Sequence, residues 1–259
     1  MDYKKEIAVI GLGTVGEEVF KEISKKNVKT FGIDVDKNKI SRLKSEGYAT
    51  GDSIYKNFNI YIICVYYQKD IINVVKSINY DNSPLVCIES TISPETLEKV
   101  TEIVVRQKGA NLVLCPHRYN ENDKNHHVFN QARLIAGATE ICRKKGKDFY
   151  LNFIEKRHLI ETEPAYAVIS KLTENAYRFI EIAIAEELSL LCKRQSLDFE
   201  ELRRCANTKW NIGIREARKG IYGSCLTRDT IILDKYFENN QFLKTALKAD
   251  KNYKTQNEK

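Results

Sequence analysis

The order of apolar segments predicts an α/β fold: a doubly wound parallel sheet, followed by an all-α region reached through one long helix. Three observations carry this reading. Short, continuous apolar runs alternate with helical stretches through the first half of the 259-residue chain. A glycine-rich turn follows the first run. Beyond about residue 160 the runs stop and apolar residues fall at helical spacing. Continuous apolar strands are buried on both faces, as in a parallel sheet covered by two helical layers.

Taken in order, "EIAVIGLG" is the first strand and Glu17 to Lys25 the first helix. "VKTFGIDVD" is the second strand, and "NIYIICVYY" (59–67) and "PLVCIEST" (84–91) continue the series. "ANLVLCP" (110–116) and "ARLIAGAT" (132–139) complete it. From Pro164 to about Arg194 the periodicity is helical throughout, and Pro164 stands where a first turn accepts proline. Such a helix is ~45 Å long, more than a small domain needs, so it is expected to link two domains or to pair with its copy in a homodimer. The remainder reads as helical and polar, with "KADKNYKTQNEK" a frayed tail. The expected domains are 1–161 and 162–259.

Apolar residues make up 42% and charged residues 30% of the chain, the balance of an ordinary globular protein. The start, "MDYKKE", lacks the apolar stretch of a signal peptide. The longest apolar run, Ile60 to Tyr67, has the length of a strand and is too short to cross a membrane. Seven cysteines without a C-x-x-C pair read as reduced thiols in a cytoplasmic protein. The net charge of +7 is dispersed. Runs such as Arg143-Lys144-Lys145 lack interleaved aromatics, which argues against nucleic acid and suits an anionic small substrate.

Within "IAVIGLGTVGEEVF", Gly11, Gly13 and Gly16 stand between a strand and a helix, with Thr14 and Val15 inside the same turn. The first glycine permits the tight turn, the second lets a pyrophosphate approach, and the third lets helix and strand pack closely. Asp34 ends the second strand, eighteen residues after Gly16. There it can accept from a ribose 2′-hydroxyl and repel a 2′-phosphate, so the expected cofactor is NAD rather than NADP. The bland alternative is a tight turn with no cofactor.

Three later stretches carry chemistry. "ESTISPET" places Thr91 at the end of a strand, where doubly wound sheets bind ligands. In "ISKLTENAYRF", Lys171 and Asn175 lie one helical turn apart and share a face that can grip a developing oxyanion. "KGIYGSCLTRDT" offers Cys225 and Asp229, with Lys219 and Arg228 close in sequence to favour a thiolate. A thiolate beside a nicotinamide can capture an aldehyde and permit a second oxidation. The alternative for Cys225 is a small structural residue.

On these motifs the chain resembles the UDP-glucose/GDP-mannose dehydrogenase family, the nucleotide-sugar 6-dehydrogenases. "LCPHR", followed fifteen residues after Arg118 by "RLIAG", is similar to the branch acting on UDP-N-acetylmannosamine. The resemblance implies Gly11, Gly13, Gly16 and Asp34 for NAD, and Thr91 for a water or the substrate. It further implies Lys171 and Asn175 for oxyanion stabilisation, Cys225 as nucleophile and Asp229 to orient water and lysine. The expected reaction is oxidation of a primary alcohol on a nucleotide-linked substrate through a cysteine thiohemiacetal, and on to the carboxylate.

Two departures stand out. His117 replaces the family's glutamate base; a neutral imidazole can serve as a base near pH 7, or simply fill a polar cleft. The resemblance implies a third, nucleotide-binding domain, and the expectation is a member of the family without it. The alternatives are a two-electron dehydrogenase of the β-hydroxyacid type, which shares K-x-x-x-N, and a non-catalytic NAD-binding regulator or scaffold. Cys115, His117, His126 and His127 match no common zinc spacing, and no metal is expected. Cys64, Cys87, Cys142, Cys192 and Cys205 read as core.

Overall fold

The computed structural model describes residues 6–26, 28–121, 123, 125–238 and 240–257; the reading of "MDYKKE" falls, apart from Glu6, outside them. The chain divides into two compact units, Met1–Val168 and Ile169–Lys259.

In the first unit the strands are β1 (Ile7–Ile10), β2 (Thr30–Ile33), β3 (Thr50–Gly51), β4 (Ile60–Ile63), β5 (Leu85–Ile88), β6 (Asn111–Leu114), β7 (Arg133–Gly137) and β8 (Leu159–Glu161). They form one sheet in the order β3-β2-β1-β4-β5-β6-β7-β8. β1, β4, β5 and β6 are buried along their whole length, because helices cover both faces and each side chain meets a packed layer. The helices are α1 (Thr14–Ser24), α2 (Lys37–Ser45), α3 (Gln68–Ser77), α4 (Pro94–Thr101) and α5 (Glu140–Tyr150). Asp36, Ser93 and Thr139 cap α2, α4 and α5 by accepting backbone N–H bonds. The sheet reverses its winding between β1 and β4, and ligands of such sheets bind at that switch point, beyond the strand C-termini.

The sheet is not wholly parallel as expected. β7 runs antiparallel to β6, with Val113 opposite Gly137. The described part of the 115–132 connection holds no helix, and a helical crossover is what a parallel return would need. β3 and β8 were not foreseen, since two or three residues show no periodicity.

In the second unit the helices are α6 (Pro164–Arg194), whose first turn lies in the first unit, α7 (Phe199–Ala206), α8 (Ser224–Tyr236) and α9 (Gln241–Asn257). α6 has the bounds that its periodicity predicted. Phe179, Ala183, Ile221 and Ala246 form a buried cluster that joins α6, the segment before α8, and α9. The expectation of a frayed C-terminal tail is wrong. α9 runs to Asn257, because Leu243, Ala246, Asp250 and Tyr253 recur on one helical face and are all buried. Glu258 and Lys259 lie outside the described residues. Among the described residues no helix is long and apolar enough to cross a membrane.

Candidate functional site

The glycine turn after β1 is built for a close approach. Gly11 has φ +89°, and a Cβ there would press on Val65 and the Cys64 backbone beyond β4. A Cβ on Gly16 would collide with the Gly11 carbonyl oxygen, so the third glycine lets α1 start directly over the turn. A Cβ on Gly13 would meet nothing within 4 Å, so this position opens on space. Gly13 is also the N-cap of α1 and supplies no side-chain bond, which leaves the helix N-terminus, beginning with Thr14 and Val15, to an anion. Asp34 accepts the Leu12 N–H at 2.6 Å and the Asp36 N–H at 2.9 Å, and Lys39 Nζ lies 3.5 Å away. The carboxylate therefore ties the turn to the end of β2, and with about four lone-pair positions it keeps acceptor capacity for a ribose hydroxyl. These residues fit a dinucleotide.

Beyond β5 lies a buried polar knot. Glu89 and Arg133 are fully enclosed and His117 nearly so. Glu89 Oε1 accepts from the Tyr150 hydroxyl at 2.7 Å. Its Oε2 lies 2.6 Å from His117 Nε2 and 3.1 Å from Arg133 Nη2. The His117 backbone N–H also bonds the Glu89 carbonyl at 3.1 Å, and Arg133 donates to the Cys115 carbonyl. Burial pushes the Glu89 carboxyl up, but the Arg133 charge, His117 and the Tyr150 hydroxyl together hold it at about 2. Glu89 is therefore ionised at neutral pH. A neutral His117 facing a carboxylate carries its proton on Nε2, and Nδ1 is then the basic nitrogen. Thr91, two residues after Glu89, is half-buried, and its carbonyl accepts from the Gln68 side chain at 2.9 Å.

The second unit gathers the other predicted residues. Asn175 Nδ2 donates to Asp229 Oδ2 at 2.5 Å, and Arg228 Nε to Oδ1 at 2.7 Å. Asp229 is fully buried, so these bonds offset the loss of water around its charge. The K-x-x-x-N face of α6 is thereby joined to α8, the helix that carries C-x-x-x-D. Lys171, half-buried, lies one turn before Asn175. Cys225 is exposed in the first turn of α8, which has no side-chain cap and starts after Gly223 at φ +89°. Unpaired N–H groups and the positive helix end favour an anion there.

The remaining cysteines divide. Burial pushes the Cys64 and Cys87 thiols well up and Cys115 to about 12, which makes them poor nucleophiles. Cys142 and Cys192 are buried, but Cys205 is exposed on α7 rather than in the core, because it falls on the polar side of that short helix. His126 pairs with Asp123 at 2.7 Å and His127 faces Glu18 at 3.4 Å.

Sequence reasoning missed Glu89, Arg133 and Tyr150, and in the second unit Glu186, Asp250 and Lys254. A usable signal existed for several: Glu89 and Arg133 are charges inside apolar strand segments, and Glu186 continues the buried series Phe179, Ala183 on α6.

Two family models match the chain. Residues 165–254 match the central domain of the UDP-glucose/GDP-mannose dehydrogenase family, and residues 6–117 the NAD binding domain of 6-phosphogluconate dehydrogenase. UDP-N-acetyl-D-mannosamine dehydrogenase of Methanococcus vannielii is 25% identical across 93% of this chain and 64% of its own length. The chain thus spans just under two thirds of that relative. The Escherichia coli K12 enzyme of the same name is 30% identical over 56% of this chain and 37% of its own. Among solved structures, UDP-D-ManNAc dehydrogenase from Pyrococcus horikoshii has a TM-score of 0.84 at 23% identity, covering 96% of this chain and 68% of that one. 3-Hydroxyisobutyrate dehydrogenase from Salmonella typhimurium has a TM-score of 0.71 at 12% identity, covering 95% and 92%, a likeness of fold. The glycine turn, the sheet order and the joined K-x-x-x-N and C-x-x-x-D helices agree with these matches, and the plain result is that residues 165–254 are similar to the central domain of the UDP-glucose/GDP-mannose dehydrogenase family and residues 6–117 to an NAD binding domain.

Proposed function

We propose that the chain oxidises a primary alcohol of a nucleotide-sugar-like, anionic substrate with NAD, first to the aldehyde and then to the carboxylate. The observation that carries this reading is the Asn175–Asp229 bond, which draws the oxyanion pair and the Cys225 helix into one unit. Bound NAD supplies the hydride acceptor for each oxidation. Gly11, Gly13, Gly16 and the N-terminus of α1 hold its pyrophosphate, and Asp34 its ribose hydroxyls.

The Cys225 thiolate adds to the aldehyde carbon and forms a carbon–sulfur bond, and the carbonyl oxygen becomes an oxyanion. Lys171 and the second N–H of Asn175 stabilise that oxygen, while Asp229 fixes the amide. After the second hydride leaves, the thioester is hydrolysed: His117 Nδ1 takes a proton from water, the acyl–sulfur bond breaks, and Cys225 is freed. Glu89 orients His117 for this, and Thr91 positions the water. α6 pairs with its copy in a homodimer. Tyr177, Ile184 and Leu191, spaced by seven and each more than 40% exposed, give α6 an apolar stripe for that contact.

A panel of nucleotide sugars tests the reading by NADH release from wild type and Cys225→Ser. Cys225→Ser retains NADH binding and loses oxidation beyond the aldehyde. Two NADH per substrate from the serine variant would reject the cysteine step. NADH binding without turnover on any sugar would favour a regulator, and turnover of a small hydroxy acid instead would favour the two-electron class. In parallel, Asp34→Ala narrows the preference for NADH over NADPH by about tenfold, the effect of one lost charge–hydrogen-bond interaction.

A further inference from the structure

Ile221, four residues before Cys225, is held by its backbone from both sides. Its N–H donates to Asp250 Oδ1 at 2.8 Å, and its carbonyl accepts from Lys254 Nζ at 2.8 Å. Lys254 Nζ also bonds Asp250 Oδ2 at 2.7 Å, and it lies 5.6 Å from the centre of the Tyr222 ring. The Lys254 stem fills the space beside Gly220, whose φ is +109°; a Cβ there would come within 2.5 Å of Lys254 Cγ and Cε. One turn of α9 thus grips the strand of loop between two positive-φ glycines, Gly220 and Gly223, and Cys225 follows directly.

Behind this grip sits Glu186 of α6. Its side chain is wholly buried, and neither carboxyl oxygen has a hydrogen-bond partner. The charged groups that act on it are Asp250 and Lys254, both of α9. From α8 the contributor to the same apolar cluster is Leu226, while Asp229 of that helix is engaged by Asn175 and Arg228. Two carboxylates offer only acceptors to one another, so a bond between Glu186 and Asp250 requires a proton. Burial and then the Asp250 charge push Glu186 up to about 8, so the proton is present at neutral pH.

We propose that a protonated Glu186 donates to Asp250 and that Asp250 and Lys254 together clamp Ile221, so that the loop leading to Cys225 is fixed while the Glu186 proton is present and released when it is lost. Glu186 is a positioning residue here. Once ionised it repels Asp250 and competes for Lys254, weakening both bonds to Ile221. The consequence for Cys225 rests on the catalytic reading above; the clamp itself does not.

Hydrogen exchange of the 219–226 segment in the 259-residue chain, expressed as protection relative to the intrinsic rate at each pH, separates the two. In the wild type, protection falls about tenfold or more between pH 6.5 and 9.5, one proton's worth of coupling or more. Glu186→Gln keeps a donor toward Asp250 and removes the titration, so its protection stays flat and high. Lys254→Met lowers protection at every pH. The rate of iodoacetamide reaction at Cys225, normalised to exposed Cys205, rises with the loss of protection in wild type and not in Glu186→Gln. Constant wild-type protection, or a pH step that survives Glu186→Gln, overturns the clamp. Exchange at Ile221 involves no step at Cys225, so an inactive enzyme with the expected exchange pattern would reject the catalytic reading alone.

Discussion

Glu89 in the first unit and Glu186 in the second are both wholly buried acids beside the residues that the chemistry would use, and they are driven in opposite directions. Burial raises both. Around Glu89, the Arg133 cation, His117 and the Tyr150 hydroxyl outweigh it and hold the group at about 2. Around Glu186 the charge of another acid, Asp250, adds to burial and carries the group to about 8, with Lys254 opposing only in part. The protein therefore buries one fixed charge and one proton. A fixed charge makes a rigid anchor for His117, whereas a held proton makes a joint that pH can open.

The most damaging way to break this contrast is to take the cation from Glu89. Arg133→Met leaves a buried carboxylate without its main partner and costs about 3–5 kcal/mol of stability in equilibrium urea unfolding followed by circular dichroism. The double variant with Glu89→Gln recovers much of this, since it removes the stranded charge as well. A single-variant loss below about 1 kcal/mol would mean that Arg133 is not what keeps Glu89 ionised.

Glu186→Gln has a smaller effect with a distinct pH signature. A raised carboxyl binds its proton more tightly in the folded state, so its contribution is full below the unfolded value of about 4.5 and is lost as pH rises toward about 8. Wild-type stability relative to Glu186→Gln therefore falls across that interval, by up to ~1.4 kcal/mol per pH unit for one proton. Glu89 acts in the other direction: its contribution is full above about 4.5 and is lost as pH falls toward about 2. The two windows do not overlap, so unfolding at pH 5, 6.5 and 8 isolates Glu186. A pH-independent difference between wild type and variant would show that Glu186 is already ionised at neutral pH.

Most of the fold was legible because the signals are local. Continuous apolar runs marked β1, β2, β4, β5 and β6, and one unbroken period marked α6 from Pro164 to about Arg194. Gly11, Gly13, Gly16, Asp34, Asn175 and Asp229 were legible as spacings. The partnerships were not, because each joins distant positions: Glu89 to Arg133 and Tyr150, Glu186 and Ile221 to Asp250. The last of these depends on the segment that looked least structured. "KADKNYKTQNEK" has few apolar residues, but its Asp250 and Tyr253 share a face with Leu243 and Ala246 just before it. An acid at a core position spoils the apolar stripe by which a helix is read, and that acid is the one that grips Ile221. The reversal at β7 was hidden for a similar reason, since direction depends on the connection rather than on the strand's own composition.

The smallest expected effect tests whether the Glu89 knot is a sum of partners or rests on the cation alone. Tyr150→Phe removes only the hydroxyl that donates to Glu89 Oε1 at 2.7 Å and leaves the ring against Arg133, 5.5 Å from its guanidinium carbon. No cavity larger than one oxygen is made, so the loss reflects the hydrogen bond to a charged acceptor, about 1.5–3 kcal/mol. Glu89 then holds its charge less firmly, and the acid limb of the stability curve moves upward from about 2 toward 4.5. Arg133 and His117 still face Oε2, so the limb stops short of the ordinary value. Urea unfolding of wild type and Tyr150→Phe between pH 2.5 and 6 reads both quantities. A variant that loses stability with no movement of the acid limb would assign Tyr150 a packing role and leave Arg133 as the group that sets the charge of Glu89.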